Sequence, residues 1–413
     1  MKLLIFTYAP AGLGHLRVTD ALVDGLPEKS TYLLLGSVDS FITWAHRFTS
    51  INPIGKYIFL QSQYGIAEAI FTAIYRKFLI LTAGSLYKQL KDIIARNPSC
   101  DEVCVISTHF GMAHQIGAIK EKLRKETGHT VHLMVQVTDD TSQRMWCVEG
   151  ANLTFVPSYY VKRKLENYAK QRGIEFNCEV IPYPLSGTLI KKLTNKLGDR
   201  HETFSNHAGV IRIAIPISGA AVGLGFVTML VKLLNALSKR FEFWILVKKS
   251  PFTDMFVSTI SAMDRVNVLV GKNDNEMIAM YEKMYEQNLI HLEITKPSEQ
   301  AFKAILSPDR IGGSLLLFTS PVGRQEYENM EFLRRHGLLS SSGYVAYPRA
   351  ISLPENAEEA AKRIMWAVES GLFARMTASN FRFSKQAMES GEIGGDGGRL
   401  FWKKAARYFG HEK

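Results

Sequence analysis

The chain has 413 residues, 46% of them hydrophobic, and carries 50 Lys and Arg against 39 Asp and Glu, a formal net charge of +11. It is too long for one ordinary domain and suits two domains of roughly 200 residues, each with its own core. The positive balance favours an anionic partner, either lipid or a phosphorylated small molecule; without zinc-finger spacing or an aromatic RNA-binding signature, no nucleic-acid partner is expected. Cys100, Cys104, Cys147 and Cys178 have no metal-ligand spacing and read as buried thiols of a reducing compartment. The N-terminus runs straight into a strand pattern, so no signal peptide is read there.

In chain order, residues 3–7 form an apolar run, and Ala11-Gly12-Leu13-Gly14-His15 follows as a glycine-bearing turn feeding a helix through Val18, Ala21 and Leu22. Such a turn offers backbone N–H groups and a positive helix end to an anionic or polyhydroxyl ligand, and it serves chain geometry equally well. Residues 31–35 read as the next strand. The stretch 41–95 breaks the rhythm: Trp44, Tyr57, Phe59, Tyr64 and Phe71 are interleaved with Arg47, Lys56, Arg76, Lys77 and Lys88. Arg76 and Lys77 interrupt the apolar run short of the ~20 residues that a spanning helix needs. The mixture fits a helix lying among anionic headgroups, or a helical insertion whose aromatics are core.

Strands are expected at 103–107, 130–137, 153–156 and 179–181. Ser107-Thr108-His109 and Thr138-Asp139-Asp140 stand at carboxyl strand ends, where His109 or Asp139 would be placed to take a proton from an attacking hydroxyl. A lone His in such a place is commonly structural. Residues 186–209 are polar and suit a linker.

The alternation then restarts, with strands expected at 211–215, 241–247, 266–270, 289–294 and 315–318. The first leads into the small-residue turn Ser218-Gly219-Ala220-Ala221-Val222-Gly223, with a helix from about Phe226, an arrangement suited to a diphosphate. Thr295-Lys296-Pro297-Ser298-Glu299 ends another strand and opens a helix over 300–306, by capping or as a ligand turn. Gln325, Glu326 and Asn329 belong to a loop able to grip sugar hydroxyls or to stand in solvent. A basic amphipathic helix over 399–409 follows a flexible stretch and suits packing on the first domain or lying on lipid. Two doubly wound α/β domains facing a cleft are the expected architecture: 1–185 with the insertion 41–95, a linker 186–209, a second domain 210–390 and a terminal helix in 391–413.

The ordered set Gly12-Leu13-Gly14-His15, Thr108-His109, Thr138-Asp139 with Trp146 and Glu149, Val156-Pro157-Ser158, Ile181-Pro182, Thr295-Lys296-Pro297 and Gln325-Glu326-Tyr327-Glu328-Asn329 resembles the GT-B glycosyltransferases that include processive diacylglycerol glucosyltransferases, monogalactosyldiacylglycerol synthases and the N-acetylglucosaminyltransferase of lipid II synthesis. The resemblance implies two Rossmann-like domains and an inverting, metal-independent transfer. The sugar would pass from a nucleotide-diphosphate donor, a UDP-sugar by expectation, to a lipid or lipid-linked acceptor on the inner face of the cell membrane, with no cofactor and no metal. It implies that Gly12, Gly14 and His15 face the donor phosphates and sugar. Ser218, Gly219, Ala220, Thr295, Pro297, Ser298, Glu299, Gln325, Glu326 and Asn329 would bind the donor, and His109 and Asp139 would serve as base or acceptor ligand. Trp44, Tyr57, Phe59, Tyr64, Phe71, Arg76 and Lys77 would meet membrane and acceptor. The chain departs from the family pattern at Arg324, at Ser298-Glu299, at Gln143 and at Ala304, where the family's ribose-binding Glu is expected. A GT-B-shaped protein that binds a nucleotide sugar, glycan or lipid without catalysis, and a nucleotide-sugar epimerase, are the alternative readings.

Overall fold

The computed structural model describes residues 2–8, 13–27, 30–36, 61, 63–194, 196–206, 209–217, 221–339, 348–378, 380–394 and 396–409. In chain order the first half contains β1 (Lys2–Tyr8), α1 (Leu13–Asp24), β2 (Tyr32–Gly36), α2 (Gly65–Leu81), α3 (Gly84–Ala95), β3 (Glu102–Ser107), α4 (Phe110–Thr127), β4 (Thr130–Gln136), β5 (Leu153–Val156), α5 (Tyr159–Arg172) and β6 (Cys178–Val180). The second contains α6 (Arg200–Ser205), β7 (Ile211–Pro216), α7 (Leu224–Leu237), β8 (Phe241–Lys248), α8 (Asp254–Ser261), β9 (Val266–Gly271), α9 (Asp274–Gln287) and β10 (Leu292–Thr295). A 3₁₀ segment (Glu299–Ile305), β11 (Leu315–Phe318), α10 (Arg324–Arg335), β12 (Ala350–Ser352), α11 (Ala357–Glu369), α12 (Leu372–Met376), α13 (Lys385–Glu389) and α14 (Gly397–Ala405) complete it.

The chain divides into two compact units, one of Met1–Pro184, Gly323–Gln325 and Gly395–Lys413, the other of Leu185–Val322 and Glu326–Gly394. Each is built on a six-stranded parallel sheet, ordered β2-β1-β3-β4-β5-β6 in the first and β12-β11-β10-β7-β8-β9 in the second. The central strands, covered by helices, bury nearly every side chain, hence the unbroken apolar runs at Leu3–Phe6 and Leu315–Phe318, whereas the edge strands β2 and β9 are more exposed. In each sheet the chain winds outward from one central strand and then restarts on its other side. The switch lies between β1 and β3 in the first unit and between β7 and β10 in the second, and ligands of open α/β sheets bind at the carboxyl ends of such strands.

The segment 186–209, expected to be a linker, is instead built into the second unit. The amides of Ile311 and Gly312 donate to the carbonyls of Lys191 and Leu189 at 2.8 and 2.9 Å, and Leu193 donates to Asp309 at 2.8 Å. Arg200, 1% exposed, spends its guanidinium on the carbonyls of Ile290, Pro308, Arg310 and Ile311. A polar sequence here marks a backbone-capping arginine rather than a solvated tether.

The terminal helix α14 belongs to the first unit and packs on α1. Phe401 is fully buried with its ring centroid 4.4 Å from that of Phe155, and Trp402 Nε1 donates to the Leu22 carbonyl at 2.6 Å. Gly397 lies against the Pro182 carbonyl so closely that a Cβ would stand 2.1 Å from its oxygen. Only glycine allows that approach.

Candidate functional site

At the first switch point, His15 in the first turn of α1 meets Thr108 at the end of β3. His15 Nδ1 is 2.6 Å from the Thr108 carbonyl oxygen. A carbonyl can only accept, so Nδ1 carries the proton and, in the neutral ring, Nε2 holds the lone pair. Thr19, one turn along α1, donates its hydroxyl to the His15 carbonyl at 2.8 Å and lies 3.0 Å from the Thr108 hydroxyl. This braces the first turn of α1 against β3.

His109 takes a different part. It is the N-cap of α4, its Nδ1 accepting the Met112 amide at 3.4 Å, and it is 5% exposed. The ring stacks on Phe110 at 4.8 Å and meets His15 edge-on at 5.1 Å. Burial, and then the neighbouring His15, push its pKa well below the ordinary histidine value. A Cβ at Gly111 would come within 2.8 Å of the His109 ring, so the glycine makes room for the cap. The His109 Nδ1 lone pair is thus engaged in the cap, and protonation of the ring is disfavoured. Asp139, half-buried, stands one strand further along, in the turn after β4 whose Thr138 carbonyl accepts from Tyr183 Oη at 2.8 Å.

The second switch point is framed by the turn before α7 and the turn after β10. Gly223 is the N-cap of α7, with φ 82° and no side-chain cap, and Ala221 holds a left-handed φ of 51°. A non-glycine residue in that region stores strain of order 1 kcal/mol, a feature that clusters at ligand sites. The first N–H groups of this 14-residue helix have no intrahelical partner, as at any helix start, and its dipole adds to their pull on an anion. Across the switch, Thr295 ends β10 and is nearly buried. The helix expected to open at Ser298 is a seven-residue 3₁₀ segment, and the Ser298 side chain does not cap it. Asn329, fully buried, donates to the Pro297 carbonyl at 3.1 Å and joins α10 to this turn, while Glu326 accepts the Val322 amide. Gln325 lies in the first turn of α10 with its Oε1 buried and without a hydrogen-bond partner. Gly12, Ser218, Gly219 and Ala220 lie outside the described residues, as do Trp44, Tyr57 and Phe59.

Of the aromatic-basic stretch, α2 is described, and its amphipathicity is inverted. Glu68 and Thr72 face inward, Arg76 is half-buried, and Ile66, Ile70, Phe71, Ile74, Phe78 and Leu81 face outward, Ile66 and Leu81 at 80% and 84% exposure. Glu68 accepts the Arg144 amide at 2.8 Å. Arg76 donates to the carbonyls of Arg144 and Cys147, both at 2.7 Å, and lies over the Tyr168 ring of α5. Arg76, expected at the lipid face, is thus an inward anchor; Tyr64, Phe71 and Lys77 are exposed. The polar stripe 68, 72, 76 at helical spacing was the sequence signal for this orientation. No helix among the described residues is long and apolar enough to cross a membrane.

These two switch-point sheets, each with a turn-bearing carboxyl edge, define the fold as that of the GT-B enzymes, whose members include glycosyltransferases and UDP-GlcNAc 2-epimerases. No protein-family model matches the chain, and no curated protein does. Among solved structures, it is similar to S. aureus MnaA in complex with UDP, at 11% identity over 99% of this chain and 97% of that one, TM-score 0.55. It is also similar to UDP-GlcNAc 2-epimerase from Neisseria meningitidis bound to UDP-GlcNAc, at 10% identity over 98% and 100%, TM-score 0.54. The spinosyn rhamnosyltransferase SpnG matches at 11% identity over 98% and 100%, TM-score 0.51. At these identities the likeness is one of fold.

Proposed function

We propose that the protein is an inverting, metal-independent glycosyltransferase that moves a sugar from a UDP-sugar to a lipid or lipid-linked acceptor, working from the inner surface of the cell membrane. The observation that carries the lipid half of this reading is the outward apolar face of α2. Soluble proteins rarely leave a contiguous apolar helix face in water, and a bilayer interface accepts one. The neighbouring α5 adds Lys162, Arg163, Lys164, Lys170 and Arg172, cations that favour anionic headgroups.

In this scheme the second unit holds the donor, its diphosphate drawn to the amides at the start of α7. The acceptor hydroxyl attacks the anomeric carbon, its proton passes to a general base, the role proposed for His15, and the bond to the nucleoside diphosphate breaks with the electron pair leaving on the phosphate oxygen. The Thr108 carbonyl supports the imidazolium by accepting from Nδ1–H, the role of an orienting acceptor beside a general base. Asp139 is kept as an acceptor ligand.

The epimerase reading shares the fold and a nucleotide sugar but gives the α2 face no occupant. The test is incubation of the folded protein with labelled UDP-sugars, with and without vesicles containing anionic lipid. Vesicle-dependent transfer to lipid is the expected result. Epimerisation indifferent to vesicles supports the alternative, and UDP binding without turnover supports the non-catalytic one.

A further inference from the structure

The 3₁₀ segment Glu299–Ile305 is longer than such segments run unaided, because their hydrogen bonds are poor and their side chains eclipse every third residue. Here that eclipsing is used. In a 3₁₀ helix residues three apart point the same way, whereas in an α-helix they diverge by about 60°. Gln300 and Lys303 are three apart and reach one set of partners. Lys303 Nζ, 1% exposed, donates to Glu293 at 2.7 Å and to the hydroxyls of Tyr281 and Tyr285 at 2.7 and 2.6 Å. Tyr281 Oη is 2.7 Å from Glu293 and 2.9 Å from Gln300 Oε1, and Tyr285 Oη donates to Glu293 at 2.5 Å. The cluster binds the segment to β10, through Glu293, and to α9.

We infer that Lys303 is a positioning residue: its buried pair with Glu293, extended through Tyr281 to Gln300, holds 299–305 in the 3₁₀ form and thereby orients Ser298 and Glu299 at the carboxyl end of β10. Released from the pair, the segment relaxes toward α-helical turns and rotates these two residues. The inference rests on the nucleotide-sugar reading only for the use of UDP as a probe.

A buried ion pair is costly to break and often cheap to replace whole. Lys303→Met alone leaves the Glu293 carboxylate uncompensated and serves as the unstable control. The double variant Lys303→Met/Glu293→Gln removes both charges and is expected to melt close to the wild type, with amide exchange across 297–304 at least about tenfold faster than the rest of the unit and UDP binding about tenfold weaker. Should the double variant fail to fold, Tyr281→Phe, which cuts only the link to Gln300, is expected to give the same local exchange change at smaller size. Unchanged exchange across 297–304 in a folded variant overturns the inference. Faster exchange there with unchanged UDP affinity upholds the positioning role and counts against donor binding at this turn, and a wild-type protein blind to UDP counts against the nucleotide-sugar reading alone.

Discussion

His15 Nδ1 donates to the Thr108 carbonyl across a 2.6 Å contact, and this bond fixes the tautomer of the neutral ring, with the proton on Nδ1. In the proposed scheme the proton acceptor stands on α1, while His109 caps α4. His15→Asn keeps a donor for Thr108 and removes the basic nitrogen. It is expected to lower kcat about 100-fold or more with little change in UDP affinity, measured by steady-state transfer and by UDP titration. A variant with wild-type kcat removes His15 from the chemistry.

His109→Ala should behave in the opposite way. It deletes a cap and buried ring contacts, so the expected loss is about 1–2 kcal/mol of unfolding free energy, with kcat within about threefold of wild type. Denaturant unfolding and turnover measured on the same preparation separate the two. A collapse of kcat without a loss of stability would restore His109 as the base.

Burial also makes the protein sensitive to acid. Desolvation, the largest cause in each case, lowers His114 to about 4 and His291 to about 3, and His109 moves the same way. Each is held neutral in the fold and charges more readily when unfolded, so its contribution is complete above the unfolded value near 6.5 and is lost as pH falls below it. Between pH 6.5 and about 4, His114 and His291 should each remove about 1.4 kcal/mol of stability per pH unit. His114→Gln, which can still donate to the Met145 carbonyl that His114 Nε2 meets at 2.8 Å, should reduce the slope by that amount in urea unfolding at stepped pH. An unchanged slope means His114 titrates normally.

Much of this arrangement is legible in the residues. Of the twelve strands among the described residues, eleven coincide with apolar runs in the sequence, and Ala350–Ser352 is the one that does not. Gly14, in the first turn of α1, and Gly223, the N-cap of α7, lie at the two switch points. What the sequence hides are contacts between distant residues and choices of helix type. His15 and Thr108 are 93 positions apart. The polarity of 186–209 conceals an arginine satisfied by backbone carbonyls, and Pro297-Ser298 promises an α-helix where Lys303 and Glu293 support a 3₁₀ one. The aromatic-basic composition of α2 is plain, whereas its inward face is set by Glu68, Thr72 and Arg76.

That inversion gives a direct test of membrane contact. Ile70 and Ile74 are 56% and 65% exposed, so charging them leaves the fold intact. The pair Ile70→Glu/Ile74→Glu should weaken sedimentation with anionic vesicles by about tenfold or more, since each buried Ile side chain contributes about 1.5–3 kcal/mol. Melting should change by no more than the ±0.5 kcal/mol typical of surface sites. Arg76→Ala should do the reverse, destabilising the first unit by freeing two carbonyls while its effect on vesicle binding stays secondary. Equal vesicle binding by the Ile variant and wild type removes the bilayer as the partner of α2.

The terminal helix separates packing from lipid binding in the same assay. Trp402 lies edge-on to Phe6 with ring centroids 6.0 Å apart, and its indole nitrogen is bonded to α1, so Trp402→Ala should cost about 3–5 kcal/mol. Lys404 pairs with Glu179 at a partly exposed position and also donates to the Val180 carbonyl at 3.0 Å, so Lys404→Ala should cost about 1 kcal/mol or less. Lys403 is exposed, and if α14 serves packing alone, Lys403→Glu should leave vesicle binding as it was. A helix that instead lies on lipid gives the converse pattern: Lys403→Glu lowers vesicle binding and Trp402→Ala leaves the melting temperature nearly unchanged.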